Sequence, residues 1–446
     1  MLSLPRVAEP LLMSLSIPFT RPTFNRVLPL LIGAVLTKGR RSITAILWTM
    51  RGLVPGHMTS YHRVFSRAPW SLFPLGQVLA TAIVESVGDG PIVVAVDDTT
   101  AQHKGKKVYG KGCHHDAVRS THTHTAYRWG HKWIVLAIVV KLPFAKRPWA
   151  LPMLCALYRP RELNQKEGRR HKTPIMLARG LMCVLMRQFR DKRFIFLGDG
   201  GYASHELARF CQRHRRQATL VSRFYGDAAL YDPAPKYRGH GRPRVKGRKR
   251  KSPQDVVASG RLKRTTVDWY GATRRTVKIK GEQGHWYKSG QGLVSIGWVF
   301  VRDDTGTRRD EYYYTTDPTL AAVRIVSLFT QRWSIETTFQ EVREHLGFET
   351  PRQRVANSVL RTAPCLLGLH SLITLIFNAH AKRHTIDLCH RPGYHKAEPT
   401  FTDAIATVRR LFWTETVLQQ PYFHKTFRKL PPKLRAAVLD YLAQAV

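Results

Sequence analysis

The stretch Val93–Thr100, which reads VVAVDDTT, decides the fold class of this chain. It continues an apolar run that starts at Ile92 and is unbroken to Val96, a pattern typical of a strand buried on both faces of a sheet. Asp97 and Asp98 follow directly. Because open α/β sheets place their reacting groups beyond the carboxyl ends of strands, the stretch predicts a core strand that ends at a functional site.

The segments that follow extend this strand into an α/β fold. Residues 133–140 form a second apolar run, and residues 175–190 have helical periodicity. Residues 194–197 form a short strand that ends at Asp199. The alternation of helix and strand indicates an α/β core in which two strands end at aspartates.

The charge of the chain points to a nucleic acid partner. Lys and Arg total 72 against 30 Asp and Glu, which gives a formal net charge of +42 at pH 7 with His neutral. Duplex DNA carries one phosphate charge per roughly 1.7 Å of its axis and is attracted by such a field. No basic amphipathic helix is evident, and no segment reaches the roughly 18 apolar residues of a membrane span. We therefore expect double-stranded DNA as a partner and no membrane.

The cysteines and the N-terminus favour a cytoplasmic location. Six cysteines are scattered without a CxxC pair, at positions 113, 155, 183, 211, 365 and 389. This pattern argues against a disulfide scaffold or a cysteine zinc site. Pro5, Glu9 and Pro10 interrupt the charged-then-apolar pattern of a signal segment.

The periodicities divide the chain into five predicted regions. These are a helical DNA-binding region (1–88), the first part of the catalytic core (89–216), a β-rich basic insertion (217–310), the second part of the core (311–380) and a helical C-terminal region (381–446). In the first region a helix is predicted to start just after Pro29, where a proline is tolerated. The insertion is expected to interrupt the core without joining its sheet.

A basic segment lies inside the predicted insertion. Residues 236–251 contain nine Lys or Arg and no carboxylate. Within them Gly241-Arg242-Pro243-Arg244 is similar to the centre of an AT-hook, which would bring Arg242 and Arg244 to DNA. A solvated basic loop is the alternative interpretation.

A third carboxylate lies on a predicted helix that starts at Asp317-Pro318 and ends at Gly347. At about 100° per residue, Arg332, Glu336 and Arg343 fall within an arc of roughly 60° beside the apolar face. A carboxylate between two guanidinium groups suits a nuclease helix, because the arginines match phosphate geometry. Surface ion pairing is the alternative, and a break near Thr330 would move Phe329 off this face.

Asp98, Asp199 and Glu336 together suggest metal-dependent phosphodiester chemistry. Carboxylate oxygens are the ligands that Mg²⁺ or Mn²⁺ prefers, and two such ions assist the attacking and the leaving oxygen. Asp97 and Asp98 point to opposite sides of a strand, so only one of them faces the cleft. A strand-end aspartate is also a common helix cap.

These residues carry a family resemblance. The chain resembles the DDE transposases of bacterial insertion sequences, through VVAVDDTT at 93–100, FLGDGGY at 196–202, and the spacing Phe329-x2-Arg332-x3-Glu336-x6-Arg343. That spacing is similar to a Y-x2-R-x3-E-x6-K signature, with Phe in place of Tyr and Arg in place of Lys.

The resemblance implies a ribonuclease H-like core, with Asp98, Asp199 and Glu336 as catalytic metal ligands. Asp98 is preferred over Asp97 because the aspartate of the family is usually followed by Thr or a small residue. Arg332, Arg343 and Phe329 would contact DNA. The resemblance also implies a protein of the bacterial cytoplasm and nucleoid that acts as a homodimer or higher oligomer on DNA.

Two further patterns have alternative interpretations. Histidines at 103, 114, 115, 122, 124 and 131 lie among lysines, with irregular spacing and no paired cysteines. This favours a basic hairpin near DNA over a zinc site. In the insertion, Trp286 and Trp298 are either core residues or platforms for an unpaired base.

The leading hypothesis is a transposase that binds element ends, cleaves phosphodiester bonds and joins the 3′ hydroxyl to target DNA. One alternative is a ribonuclease H-like host nuclease or resolvase, which would cut without joining. Another is a basic DNA-binding protein without chemistry, which would have no use for acids aimed at phosphates.

Overall fold

The structure is a computed structural model. It describes residues 2–116, 119–121, 123–237, 239, 241–388, 393 and 395–444. His122 and Cys389, and two positions of the basic segment (238 and 240), lie outside the described residues.

The chain alternates helices and strands over most of its length. The strands are β1 (Ile92–Gln102), β2 (Gly112–His115), β3 (Tyr127–Val140), β4 (Trp149–Tyr158), β5 (Phe194–Gly198), β6 (Ala218–Arg223), β7 (Leu230–Tyr231), β8 (Lys263–Asp268), β9 (Arg274–Lys288), β10 (Gly292–Arg302) and β11 (Glu311–Thr315). The helices before β6 are α1 (Glu9–Ser14), α2 (Arg21–Leu36), α3 (Ile43–Thr49), α4 (Met58–Ser66), α5 (Leu72–Val84), α6 (Arg161–Lys166), α7 (Pro174–Gln188) and α8 (His205–Arg213). Those after it are α9 (Pro253–Ser259), α10 (Ala322–Gln331), α11 (Ser334–Leu346), α12 (Ala356–Ala381), α13 (Phe401–Phe412), α14 (Pro421–Lys429) and α15 (Pro432–Ala443).

All these strands belong to one sheet. Its main path runs β2-β3-β1-β5-β6-β11-β10-β9-β7, with β4 beside β3 and β8 beside β9. β1 pairs in parallel with β5, and β5 in parallel with β6, whereas β3 runs antiparallel to β1. β5 ends at Gly198, level with Val96 of β1. β1 continues to Gln102, so Asp97 and Asp98 lie within the strand and not at its end as predicted, because β3 pairs with β1 beyond the end of β5.

The segment 217–310 is rich in strands, but the expectation that it lies outside the core sheet is wrong. β11 pairs with β6 through Tyr313–Arg223 and Thr315–Val221, and β10 and β9 continue from β11. The sequence does not reveal this because antiparallel pairing of distant segments leaves no local signal. The predicted region boundaries stay predictions.

The N-terminal and C-terminal helices pack on the sheet and on each other. α12 contacts β4, α5 and α13, and α13 contacts α2. Among the described residues α12 is the one helix long and apolar enough to cross a membrane, yet 72% of its apolar window is buried inside the protein. That burial is typical of a core helix.

Two helix predictions need correction. α2 begins at Arg21, so Pro29 lies inside it and not at its start. The helix predicted from Asp317 to Gly347 is two helices, α10 and α11, separated at Arg332 and Trp333. Its predicted end is confirmed, because Gly347 has the left-handed φ of 60° that suits glycine.

Candidate active site

The register of β1 and β5 brings two carboxylates to one face of the sheet. Val93 is level with Ile195 and Ala95 with Leu197, so the alternation of side chains places Asp97 on the same face as Asp199. Asp98 points to the opposite face. Asp199 also caps a short 3₁₀ turn, since its Oδ1 accepts a hydrogen bond from Gly201 N at 2.9 Å.

Arg332 joins this face to the third carboxylate. Its guanidinium donates to Asp97 Oδ2 at 2.9 Å and to Glu336 Oε1 at 2.6 Å. Arg332 is 7% exposed, while 46% of the Glu336 side chain remains accessible. We name Asp97, Asp199, Glu336 and Arg332 the carboxylate site.

The break between α10 and α11 creates this arrangement. α11 starts beyond the break, and its Thr338 hydroxyl donates to Ala150 O of β4 at 2.8 Å, while Ile335 and Val342 are fully buried. The helix is thereby fixed across β4 and β1. Glu336, in its first turn, is left beside the carboxyl ends of the strands.

Asp98 has a different environment on the other face. Lys132 Nζ lies 3.0 Å from Asp98 Oδ1. Tyr202 is buried on the same side, and its pKa is raised well above the usual value by burial and by the charges of the surrounding aspartates. The sequence analysis did not identify Lys132, although a lysine directly before the apolar run of β3 is a signal of an acidic partner on the neighbouring strand.

Burial disfavours the charged forms of both aspartates. Burial, reinforced by the charges of Asp199 and Asp98, raises the pKa of Asp97 to about 8 even though Arg332 opposes the shift. Burial also raises the pKa of Asp98, against the effect of Lys132. The pKa of Arg332 is raised as well, because Asp97 and Glu336 outweigh the burial that would lower it.

Comparison with known proteins identifies the family. The family described as DDE superfamily endonuclease matches residues 15–276, which is more than half of the chain.

The chain belongs to the DDE superfamily endonucleases.

The matched range contains Asp97, Asp98 and Asp199 but ends before Glu336. The predicted fold class, an α/β protein with a ribonuclease H-like core, is confirmed. No curated protein matches the sequence. Among solved structures, the cryo-EM structure of the piggyBac transposase synaptic complex with hairpin DNA is similar at 10% identity, over 98% of this chain and 81% of that one, with a TM-score of 0.41. A likeness at that level does not establish a shared function.

Membership of the family implies the use of divalent metal ions in general. Within the described ranges, no group of three or more His, Cys, Asp or Glu is arranged as a metal site. Arg332 accounts for this, because its guanidinium lies between Asp97 and Glu336. The donor set fits a divalent cation, since a cation relieves the cost that raises the pKa of Asp97.

Arg343 lies in the last turn of α11, farther along the helix than Glu336. It donates to the Thr99 hydroxyl and lies 3.6 Å from Glu349 Oε1. Glu349 also pairs with Arg128 at 3.2 Å and accepts a hydrogen bond from Gln102 N. Burial lowers the pKa of Arg343.

Phe329 is buried in the core and is not available for contact with DNA. It lies on α10, is 1% exposed and stacks on Tyr313 with ring centroids 4.1 Å apart. The guanidinium of Arg332 lies 5.5 Å from its ring. The predicted DNA contact is therefore not supported, because the helix break turns Phe329 into the core.

The described residues of the basic segment form a loop that is exposed over most of its length. Arg242 and Arg244 are both exposed. Its return is fixed by Lys246, whose Nζ lies 4.1 Å and 4.0 Å from the rings of Tyr231 and Tyr287.

Two sequence alternatives are resolved by burial. Trp286 is 8% exposed and Trp298 is 1% exposed, so both are core residues and the base-platform interpretation is wrong. The predicted basic hairpin is present as β2 and β3. His114 and His131 of the hairpin are buried, as is His103, which directly follows β1. None of the described histidines belongs to a metal cluster.

Proposed function

We propose that this DDE endonuclease is a transposase of a bacterial insertion sequence. It binds the element ends, hydrolyses phosphodiester bonds there and joins the freed 3′ hydroxyl to target DNA. The observation that carries the proposal is that Arg332 joins Asp97 to Glu336 on the face of the sheet that also carries Asp199. The net charge of +42 supports double-stranded DNA as the substrate.

We assign Asp97, Asp199 and Glu336 as the ligands of Mg²⁺ or Mn²⁺. The bound ions supply Lewis-acid activation of the attacking oxygen and stabilisation of the leaving oxyanion. Asp97 replaces the sequence-based choice of Asp98, because Asp98 lies on the far face with Lys132. Lys132 holds the Asp98 carboxylate, so we assign Asp98 a structural role.

The arginines of the site have separate roles in the proposal. Arg332 pairs with Asp97 and Glu336, and only 9% of its side chain is accessible. We therefore assign the phosphate contact to Arg343, whose side chain is 35% accessible. Arg343 is anchored on Thr99 and borders the cleft, where it orients a phosphate for in-line attack. Arg242 and Arg244 add contacts to DNA phosphates farther along the sheet.

Assembly and location follow from the same proposal. Joining two element ends to one target requires two active sites, so we propose a homodimer or a higher oligomer on DNA. Its location is the bacterial cytoplasm, in association with the nucleoid.

The test uses Asp199→Asn and Glu336→Gln, which remove a ligand charge but keep the side-chain size. DNA that carries the genomic sequences flanking the gene is incubated with each protein in Mg²⁺ or Mn²⁺. We expect wild type to nick at the ends and to join 3′ hydroxyls to a second plasmid, and both variants to lose cleavage while still binding duplex DNA.

Three outcomes distinguish the hypotheses. Cleavage by either variant at the wild-type rate contradicts the assignment of the ligands. Cleavage by wild type without joined products identifies a host nuclease or resolvase. Binding without any cleavage, in either metal, leaves a DNA-binding protein without chemistry.

A further inference from the structure

A basic cavity lies at the end of the β2–β3 hairpin, apart from the carboxylate site. It has a volume of about 570 Å³, within the range of about 300–1,000 Å³ typical of ligand sites. Its walls contain five cations, four of which, Lys104, Lys106, Lys111 and Arg119, are considered together with the rings of Tyr127 and Trp129. We name these six residues the basic cavity.

The aromatic rings of the basic cavity are unusually accessible. Trp129 is 58% exposed and Tyr127 is 67% exposed. Lys111 Nζ lies 5.3 Å from the Trp129 ring, and its other contact is a hydrogen bond to Gly105 O. A large ring that stays exposed does not contribute the stabilisation that its burial would give. Exposed rings among cations are typical of sites that bind unpaired nucleotides.

Strand geometry relates the basic cavity to the carboxylate site. Asp97 is level with Val135 of β3, and Trp129 lies six residues, an even number, before Val135. Trp129 therefore projects from the face that carries Asp97, about 20 Å along the strand. The ion pairs of Glu349 join Arg128, the neighbour of Trp129 in β3, to Arg343 of α11.

The chemistry of the walls selects an unpaired base. The bases of a duplex are stacked on one another, so an indole ring gains access to a base face only where the strand is unpaired. The cations of the wall would bind the phosphates on either side of that base.

We propose that the basic cavity binds an unpaired nucleotide of the DNA strand that enters the carboxylate site, with the base stacked on Trp129 and flanked by Tyr127. The inference rests on the proposed function in so far as that strand is DNA. The site is distinct from the phosphate contacts of Arg343 and the basic loop, because it recognises a base through its ring face.

The test measures binding without metal, so that catalysis plays no part. A fluorescent thymidine oligonucleotide and a duplex of the same length are titrated in EDTA with wild type, Trp129→Ala and Trp129→Phe. We expect Trp129→Ala to weaken single-strand binding about 5- to 150-fold, the range for loss of one stacked base. Duplex binding should change less than about twofold, and Trp129→Phe should retain most single-strand affinity.

Tyr441→Ala is the matched control. Tyr441 is 70% exposed and has a cation neighbour too, Lys38 with its Nζ 4.6 Å from the ring, but lies on α15, outside the predicted DNA-binding region. We expect it to change neither affinity. Equal effects of Trp129→Ala and Tyr441→Ala on the single strand, or equal losses of single-strand and duplex binding in Trp129→Ala, overturn the inference.

The two proposals fail in different ways. Loss of single-strand binding in Trp129→Ala together with undiminished cleavage in Asp199→Asn would remove the proposed chemistry but keep the nucleotide site. Loss of cleavage in Asp199→Asn with no effect of Trp129→Ala would do the reverse.

Discussion

The carboxylate site and the basic cavity lie on the same face of β3 and its neighbours, yet their charged groups differ in exposure to solvent. At the carboxylate site the acids are half-buried and Arg332 holds two of them in ion pairs of 2.9 Å and 2.6 Å. At the basic cavity the cations and rings are displayed towards solvent. Chemistry requires preorganised, partly desolvated groups, whereas capture of a polyanion requires accessible ones.

The largest expected effect separates Asp97 from Asp98. Asp97→Asn should reduce Mg²⁺-dependent cleavage by roughly 10³-fold or more, because it removes a ligand charge from a set that acts as a unit. Asp98→Asn should have a much smaller effect, since its partner is Lys132 on the other face. Single-turnover cleavage with both variants measures the difference. An inactive Asp98→Asn beside an active Asp97→Asn would move the ligand to Asp98 and remove the register argument.

The next effect concerns Arg332 as the cation of the metal-free site. Arg332→Ala leaves Asp97 buried without its partner, so the free energy of unfolding without metal should fall by about 2 kcal/mol. This loss is smaller than for a fully buried pair, because Glu336 is half exposed. Saturating Mg²⁺ should recover more thermal stability in this variant than in wild type. Arg302→Ala removes an exposed pair with Asp310 and should cost about 0.2–1 kcal/mol with no response to Mg²⁺. Equal responses of the two variants to Mg²⁺ would contradict the role of Arg332.

The smallest effect lies beside the basic cavity. Burial lowers the pKa of His131 to about 4, and that of His114 also to about 4, with Lys111 and Lys132 adding to the shifts. The unfolded chain binds these protons more tightly than the folded one, so the stability due to the neutral rings is present above about pH 6.5. It is lost as the pH falls towards about 4.

His131→Gln should flatten this dependence in thermal unfolding measured between pH 7 and pH 4.5. His124→Gln, an exposed neighbour in the same hairpin, should leave it unchanged. A slope as steep in His131→Gln as in wild type would show that other groups set the acid limit.

The sequence predicts which strands and helices carry the site better than it predicts the face on which each side chain lies. The apolar runs locate β1 and β5. Asp199 is predicted as a ligand from the end of β5, and Glu336 from its place between two arginines on a helical face. The choice between Asp97 and Asp98 depends on the register of β1 with β5, which is set by tertiary pairing and not by either segment alone.

The errors have physical causes of the same kind. No glycine or proline marks the helix break at Arg332 and Trp333, so periodicity continued one helix through it and left Phe329 on the wrong surface. Trp129 is 58% exposed whereas Trp286 is 8% exposed, although both lie on strands of the same sheet. Composition does not distinguish these cases.

The continuous sheet has a mechanical consequence. Hydrogen-bonded strands connect β1, which carries Asp97, through β5, β6 and β11 to β9, beside which the basic loop is anchored. The loop and the acids are therefore attached to one continuous sheet, so both approach DNA together. A duplex that contacts both the loop and the acids must follow the curvature of the sheet. The bending flexibility of the DNA, which depends on its sequence, would then set part of the free energy of binding.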